Sequence, residues 1–398
     1  KDIFAKYPMM SGPEFAALRA ASGQYKNTLD ESDENNTDWQ DLLYKPGMVT
    51  NHDINLTGGT ESSNYSFGIG YFREEAVVPL QDFTRFSLRS NLDQQIGEYI
   101  RLGFSSNTNY SLTNGNNLGA IFNSLIASPL VDPYNEDGSL KKTYLLQTSG
   151  AQWVWTRERL EGLGDKYIDL RKALGSYNNV YAEVKIPGIE GLKYRLNLGL
   201  NFRMTNDGSY TGEGVFSGTP TNPSTASISN SINTYWTVEN ILSYDRTFAE
   251  KHNLNVVALY SAEQNSYNSS NMSAKNIPAD YFQFYNIGRA ASTDITVNPN
   301  YQGYSVSGLM SYMGRIMYSY DNRYMLSVSY RSDASSRLAD GQKWHSYPAV
   351  SAGWNIKNEG FMKDIESIDL LKLRVGYGQT SNQSVDPYKT LGLLNTRP

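Results

Sequence analysis

Along residues 63–72, SNYSFGIGYF, a large apolar side chain falls at every second position from Tyr65: Tyr65, Phe67, Ile69 and Tyr71, with Ser66, Gly68 and Gly70 between them. Period-two alternation predicts a strand with one greasy and one polar face. The pattern returns at Phe86/Leu88/Leu92 and at Ile100/Leu102/Phe104, and is clearest in LKYRLNLGLNFR. There Leu192, Tyr194, Leu196, Leu198, Leu200 and Phe202 share one face; Lys193, Arg195, Asn197, Gly199, Asn201 and Arg203 share the other. Six such pairs in a row approach the length a tilted strand needs to cross a bilayer. Similar runs at 52–59, 178–186, 236–244, 254–260, 304–318, 324–330, 350–356 and 371–377 bring the expectation to about twelve strands.

The links between these runs alternate in length. Short ones are expected at 60–63, 94–98, 187–191, 247–251 and 321–322, and long ones at 74–82, 113–176, 205–232, 265–302 and 333–346. A link of intermediate length at 358–369 falls where a short one is due. In an antiparallel meander this places all the short turns at one end and all the long loops at the other, as in outer-membrane barrels. Short helices are expected at 12–22, with Pro13 near the start, and at 118–127.

Composition sharpens this picture. Thirty tyrosines and 13% aromatic residues coexist with a polar mean hydropathy of −0.52, as expected where only alternate residues meet lipid. No run of 18 apolar residues is present, so no transmembrane helix is expected. The net charge of −5 offers no basic footprint for nucleic acid. The absence of cysteine removes disulfides, thiolate catalysis and Cys-zinc sites, and His52, His252 and His345 are too dispersed for a histidine metal cluster. No Walker or G-x-S-x-G motif occurs, so no enzyme and no cofactor is expected. The chain opens on Lys1 with no signal peptide, as a trimmed start or an internal piece would.

A soluble β-sandwich or propeller would also alternate. Against it stand runs of ten or more residues, aromatics gathered at strand ends (Tyr71, Tyr110, Tyr244, Tyr318, Tyr324, Tyr377) and the alternating links. No repeat of propeller period is visible.

Several motifs then point to a family. NTDWQDLLYKPGMVTNHDINLTGGTESSNYSFGIGYFREEAVV (36–78), FTRFSLRSNLDQQI (83–96), PLVDPYNEDGSL (129–140), YRSDASSRLADGQKWHSYPAVSAGWNIKNEGFM (330–362) and LLKLRVGYGQTSNQ (370–383) occur in the order found in SusC/RagA-type TonB-dependent outer-membrane transporters, which the chain resembles over roughly 8–394. Ala334 and Leu338 stand where that family usually has Gly and Phe. The resemblance implies an all-β, antiparallel transmembrane barrel. About twelve of some 22 strands lie in this chain, without the plug domain, the TonB-contact segment or the C-terminal strands. Residues 1–50 then form an external loop with a short helix and 51–398 the barrel strands. It further implies import of oligosaccharides, or of peptides in some members, across the outer membrane of a Gram-negative bacterium. The implied partners are a SusD-like surface lipoprotein acting as lid and the TonB complex acting through the plug. A passive porin or a surface adhesin is the alternative.

On this reading Tyr65, Phe67, Ile69, Leu196, Leu198 and Leu200 face lipid, while Arg85, Arg89, Lys193, Arg195, Asn201 and Arg203 line the lumen or meet the plug. Trp153 and Trp155, two apart in the longest loop, are candidates for stacking on sugars, against the alternative that they pack the loop. The acidic stretch 30–35, DESDEN, lacks the Gly and terminal Glu of a calcium loop and reads as solvated.

Overall fold

The computed structural model describes residues 9–23, 30–116, 118–145, 150–299, 302–362, 365–382 and 384–392. Lys1, and position 383 in the last quoted motif, lie outside the described residues. The alternating runs become β1 (Val49–Gly59), β2 (Ser63–Glu75), β3 (Asp82–Ile96) and β4 (Ile100–Asn114). After an excursion containing the small hairpin β5 (Thr143–Leu145) and β6 (Ala151–Trp153) come β7 (Tyr167–Lys185), β8 (Leu192–Thr211), β9 (Thr225–Phe248) and β10 (His252–Lys275). The two-residue β11 (Ile295–Thr296) precedes β12 (Gly303–Tyr320), β13 (Tyr324–Ser335), β14 (Trp344–Asn355) and β15 (Lys372–Gly378). Leaving aside β5, β6 and the short β11 paired to β10, each strand is antiparallel to its sequence neighbour in one continuous meander.

Short links therefore gather at one end and long ones at the other. The link at 356–371 is the longest on the short-turn side, and Glu359 ties it down. Its carboxylate accepts from Tyr324 Oη (2.7 Å), Trp354 Nε1 (3.0 Å) and Arg323 Nη1 (3.1 Å).

The strands outrun the alternation on the long-loop side. β7 begins at Tyr167, β8 runs on to Thr211 and β10 to Lys275, well beyond the runs read from sequence. In these extensions both faces carry polar side chains, as in Asn206/Asp207 and Ser270/Asn271, while the backbone ladder continues unbroken.

Helix α1 (Gly12–Ser22) starts at a capping box, with Ser11 and Glu14 bonding reciprocally, and ends at Gly23 in the left-handed region (φ 66°). Helices α2 (Trp39–Leu43), α3 (Ala120–Ile126) and α4 (Arg157–Glu161) lie with the long loops. Their apolar residues Leu43, Ala120 and Leu160 join Val78, Trp153 and Trp155 in a buried cluster. A water-excluding core thus sits in the loop region, while the sheet's own apolar face is left exposed. Among the described residues no helix is long and apolar enough to cross a membrane.

Candidate functional site

Residues opposite one another in antiparallel strands share a face, so register sorts the side chains. One row runs Tyr65–Leu92–Phe104–Val180–Leu198–Val238–Ala262–Met310 through eight strands. A second runs Leu192–Tyr244–Val256–Ile316–Val328–Val350–Tyr377 through seven. Both lie on one face, and much of that face is open: Ile54 is 74% exposed, Ile69 63% and Val375 67%. A soluble protein rarely leaves so extended an apolar surface uncovered. Tyr65, Phe67, Ile69, Leu196, Leu198 and Leu200 all belong to this face.

Aromatic rows border it. Towards the short turns run Phe248, His252, Tyr320, Tyr324 and Trp354. Towards the long loops run His52, Tyr71, Phe86 and Tyr110, with Tyr71 and Phe86 packed at 5.2 Å between centroids. That upper row continues through Leu174, Met204, Ile232 and Asn268. At ~3.4 Å per residue and a tilt of ~40°, the stretch of β10 between His252 and Asn268 projects to roughly 40 Å, the thickness of a bilayer with its interfacial regions.

Above this band the same face turns polar at Asn206–Asn230–Ser270, where Asn206 Nδ2 donates to Asn230 Oδ1 (2.6 Å). Beyond it a second apolar patch, Tyr210, Ala226 and Ala274, is covered by the loop 276–294 through Ile277, Phe284 and Ile287. The Phe284 ring lies directly on Gly208, where a Cβ would collide with it. Tyr210 Oη donates to Asp280 (2.7 Å) and fastens the loop.

The opposite face is polar. Arg85, Arg89, Lys193, Arg195, Asn201 and Arg203 all lie on it by register. Two adjacent rows run Asn107–Tyr177–Asn201–Tyr235–Asn265–Ser307 and Asn109–Gly175–Arg203–Asn233–Tyr267–Ser305. Nearer the short turns the side chains are bound to one another. The Tyr181 ring lies across Gly103 on the neighbouring strand and its hydroxyl donates to Asp93 one strand further on. Arg101 Nε donates to the same carboxylate (2.8 Å), and the Arg195 guanidinium stacks 3.8 Å above Tyr181 while Arg195 Nε donates to Asn197 (2.8 Å). Asn197 in turn donates to Glu239 (2.9 Å). The sequence offered one signal for this, a glycine at 103 between Arg101 and Ser105 on the polar face of its strand, and none for its partner. Lower still, Asp245, Asn255, Met317, Met325, Lys372 and Arg374 line a cavity of about 400 Å³.

Trp153 and Trp155 are 4% and 7% exposed. Trp155 stacks on Phe216 (4.7 Å, 10°), Trp153 meets both edge-on, and Arg159 lies 5.2 Å over Trp153. Both rings are buried in the loop core, the placement that the packing alternative expects. In the acidic stretch, Arg19 holds Glu31 (2.7 Å) and Asp33, and Asp30 accepts from the Leu145 amide (2.7 Å). Among the described residues no group of acidic or histidine side chains could hold a metal ion.

Comparison with known proteins agrees with this architecture. The chain is 31% identical to TonB-dependent receptor P26 of Formosa agariphila over 396 residues, covering 96% of this chain and 37% of that protein. It is 25% identical to TonB-dependent receptor SusC of Bacteroides thetaiotaomicron over 405 residues, covering 96% and 38%. The chain belongs to the SusC/RagA-type TonB-dependent receptors. Solved structures of the RagAB peptide transporter superpose with TM-scores of 0.72 to 0.75 at 18–20% identity, over 92–93% of this chain and 40–44% of theirs. That likeness shows a shared fold, the antiparallel meander described above. The chain thus spans well under half the length of the curated relatives it matches, and no family model matches it.

Proposed function

We propose that this SusC/RagA-type chain forms part of the wall of an outer-membrane importer for oligosaccharides, with its apolar face in lipid and its polar face towards the lumen. The supporting observation is the chemistry of the two upper rows on the polar face. Amides at Asn107, Asn109, Asn201, Asn233 and Asn265 alternate with rings at Tyr177, Tyr235 and Tyr267. Neutral donors and acceptors beside aromatic faces suit a ligand made of hydroxyls and C–H surfaces. In this reading the long loops meet a SusD-like surface lipoprotein, and energy arrives from the TonB complex through a plug. Peptide transport stands as the alternative, since the RagAB neighbours are described as peptide transporters.

The test is binding of a panel of oligosaccharides and peptides to the intact receptor with its co-purifying lipoprotein. Saturable binding of oligosaccharides is expected. Binding of peptides alone would replace the reading with its alternative, and a receptor that binds neither would overturn import of both cargoes.

A further inference from the structure

Resting on that reading, we propose that Arg85, Arg89 and Arg203 form an anion-recognition patch on the lumen wall, so that the imported oligosaccharide carries carboxylate or sulfate groups. The patch is set by register. Arg85 and Arg89 are four apart on β3 and project from the same face, their Cα atoms ~13 Å apart. Ser87, midway between them, pairs with Asn109, then Gly175, then Arg203 on β8. Three strand spacings place Arg203 ~14 Å across the sheet. Asn109 and Gly175 lie between them on that row, a neutral amide beside a position with no side chain.

These arginines are not spent on acids. Arg101, Arg171, Arg195, Arg323 and Arg331 each meet an acid at 2.8–3.7 Å. Among the described residues Arg85, Arg89 and Arg203 form no ion pair, and all three are exposed. Arg85 rests only on the Phe72 ring, 5.5 Å from its centroid. Of the nearby acids, Asp207 is paired with Arg171 (3.0 Å) while also feeling the charge of Arg203, Asp82 accepts from Asn114 (2.9 Å) and Asp53 accepts from Asn51 (2.9 Å). Glu74, on the same face beyond Phe72, also makes no ion pair among the described residues and offsets part of the charge. Guanidinium forks match carboxylate and sulfate oxygens with paired donors, and like charges gathered on one wall raise the local concentration of anions. The Arg101–Asp93–Tyr181–Arg195 network lies nearer the short turns, and beside the upper amide rows Arg85, Arg89 and Arg203 remain outside any ion pair among the described residues.

The experiment compares two oligosaccharides of equal length, one neutral and one carrying carboxylates or sulfates, binding to the purified intact receptor at low and at moderate salt. The anionic ligand should bind at least tenfold more tightly, with an advantage that shrinks as salt rises. The triple change Arg85→Gln, Arg89→Gln, Arg203→Gln should abolish that advantage and leave the neutral ligand within about twofold. A triple lysine variant, charge kept and fork removed, should retain most of it, and heat-modifiable gel mobility checks that each barrel is folded. Equal affinity for both oligosaccharides in the unaltered receptor would overturn the patch while sparing oligosaccharide import. Binding of acidic peptides and of no oligosaccharide would instead overturn the cargo reading on which the patch rests.

Discussion

At the residue scale, side chains one position apart do opposite work. Leu198 is exposed at the centre of the longest apolar row, whereas Asn197 donates to Glu239 on the other face. Leu198→Arg should cost ~2–4 kcal/mol if that position lies near the bilayer midplane, while Asn197→Arg should be mild. Folded yield in liposomes reads the difference, and equal damage from both would refute the two-face assignment. Glycines divide in the same way. A Cβ at Gly103 would strike the Tyr181 ring, but one at Gly314 would meet nothing within 4 Å. Gly103→Val should therefore lower the denaturation midpoint clearly and Gly314→Val hardly at all. If the two variants matched, the Tyr181 bridge across β4 would not be contributing. Period-two alternation makes the faces legible in sequence, because each residue's side follows from parity alone. The partner of Gly103 was not legible, because it lies 78 positions away and only pairing brings Tyr181 to it.

At the scale of elements, strand cores were readable and their upper ends were not. Alternation in hydropathy persists only while one face meets an apolar medium. Past the Asn206–Asn230–Ser270 row the regular alternation lapses into a small patch under the loop 276–294, so β8 to β10 continue on backbone pairing with no sustained pattern to mark them. The loop core was equally hidden, since Trp155 meets Phe216 through folding and not through proximity in the chain. Trp155→Ala should remove ~3–5 kcal/mol from that region, seen as rapid proteolytic cutting between 115 and 166 while the strands stay protected. The link at 356–371 carries a pH prediction. The hydrogen bond from Tyr324, then that from Trp354, and the bond and charge of Arg323 hold the Glu359 carboxyl below its ordinary range. A depressed carboxyl stabilises the fold above its ordinary pKa of about 4.3 and loses that contribution as pH falls through the lowered value. Hydrogen exchange in this link should quicken only below that range, and Glu359→Gln should remove the acid-dependent step. An unchanged acid profile in the variant would assign the step to another group.

At the scale of the whole molecule, one face of the sheet is apolar and open and the other polar, proportions unlike those of a soluble protein. Among the described residues, the clusters of buried apolar side chains lie in the loops and against the outer patch at Tyr210. Detergent or lipid should accordingly be needed to keep the isolated chain dispersed, whereas the loop core alone would not make it soluble. Light scattering after detergent removal checks this, and a monodisperse chain in plain buffer would contradict a lipid-facing surface.

The meander has one more consequence, which concerns how such a wall comes into being. Every long strand pairs with its chain neighbours, so each pairing closes only the link between them, at an entropic cost that grows slowly with link length. The hairpin is therefore the natural unit of assembly, and most of the wall can be laid down locally, one hairpin against the last. The join of β4 to β7 is the exception, because the excursion through 115–166 must be spanned before those strands meet. That seam is the point at which insertion into a membrane would be expected to pause.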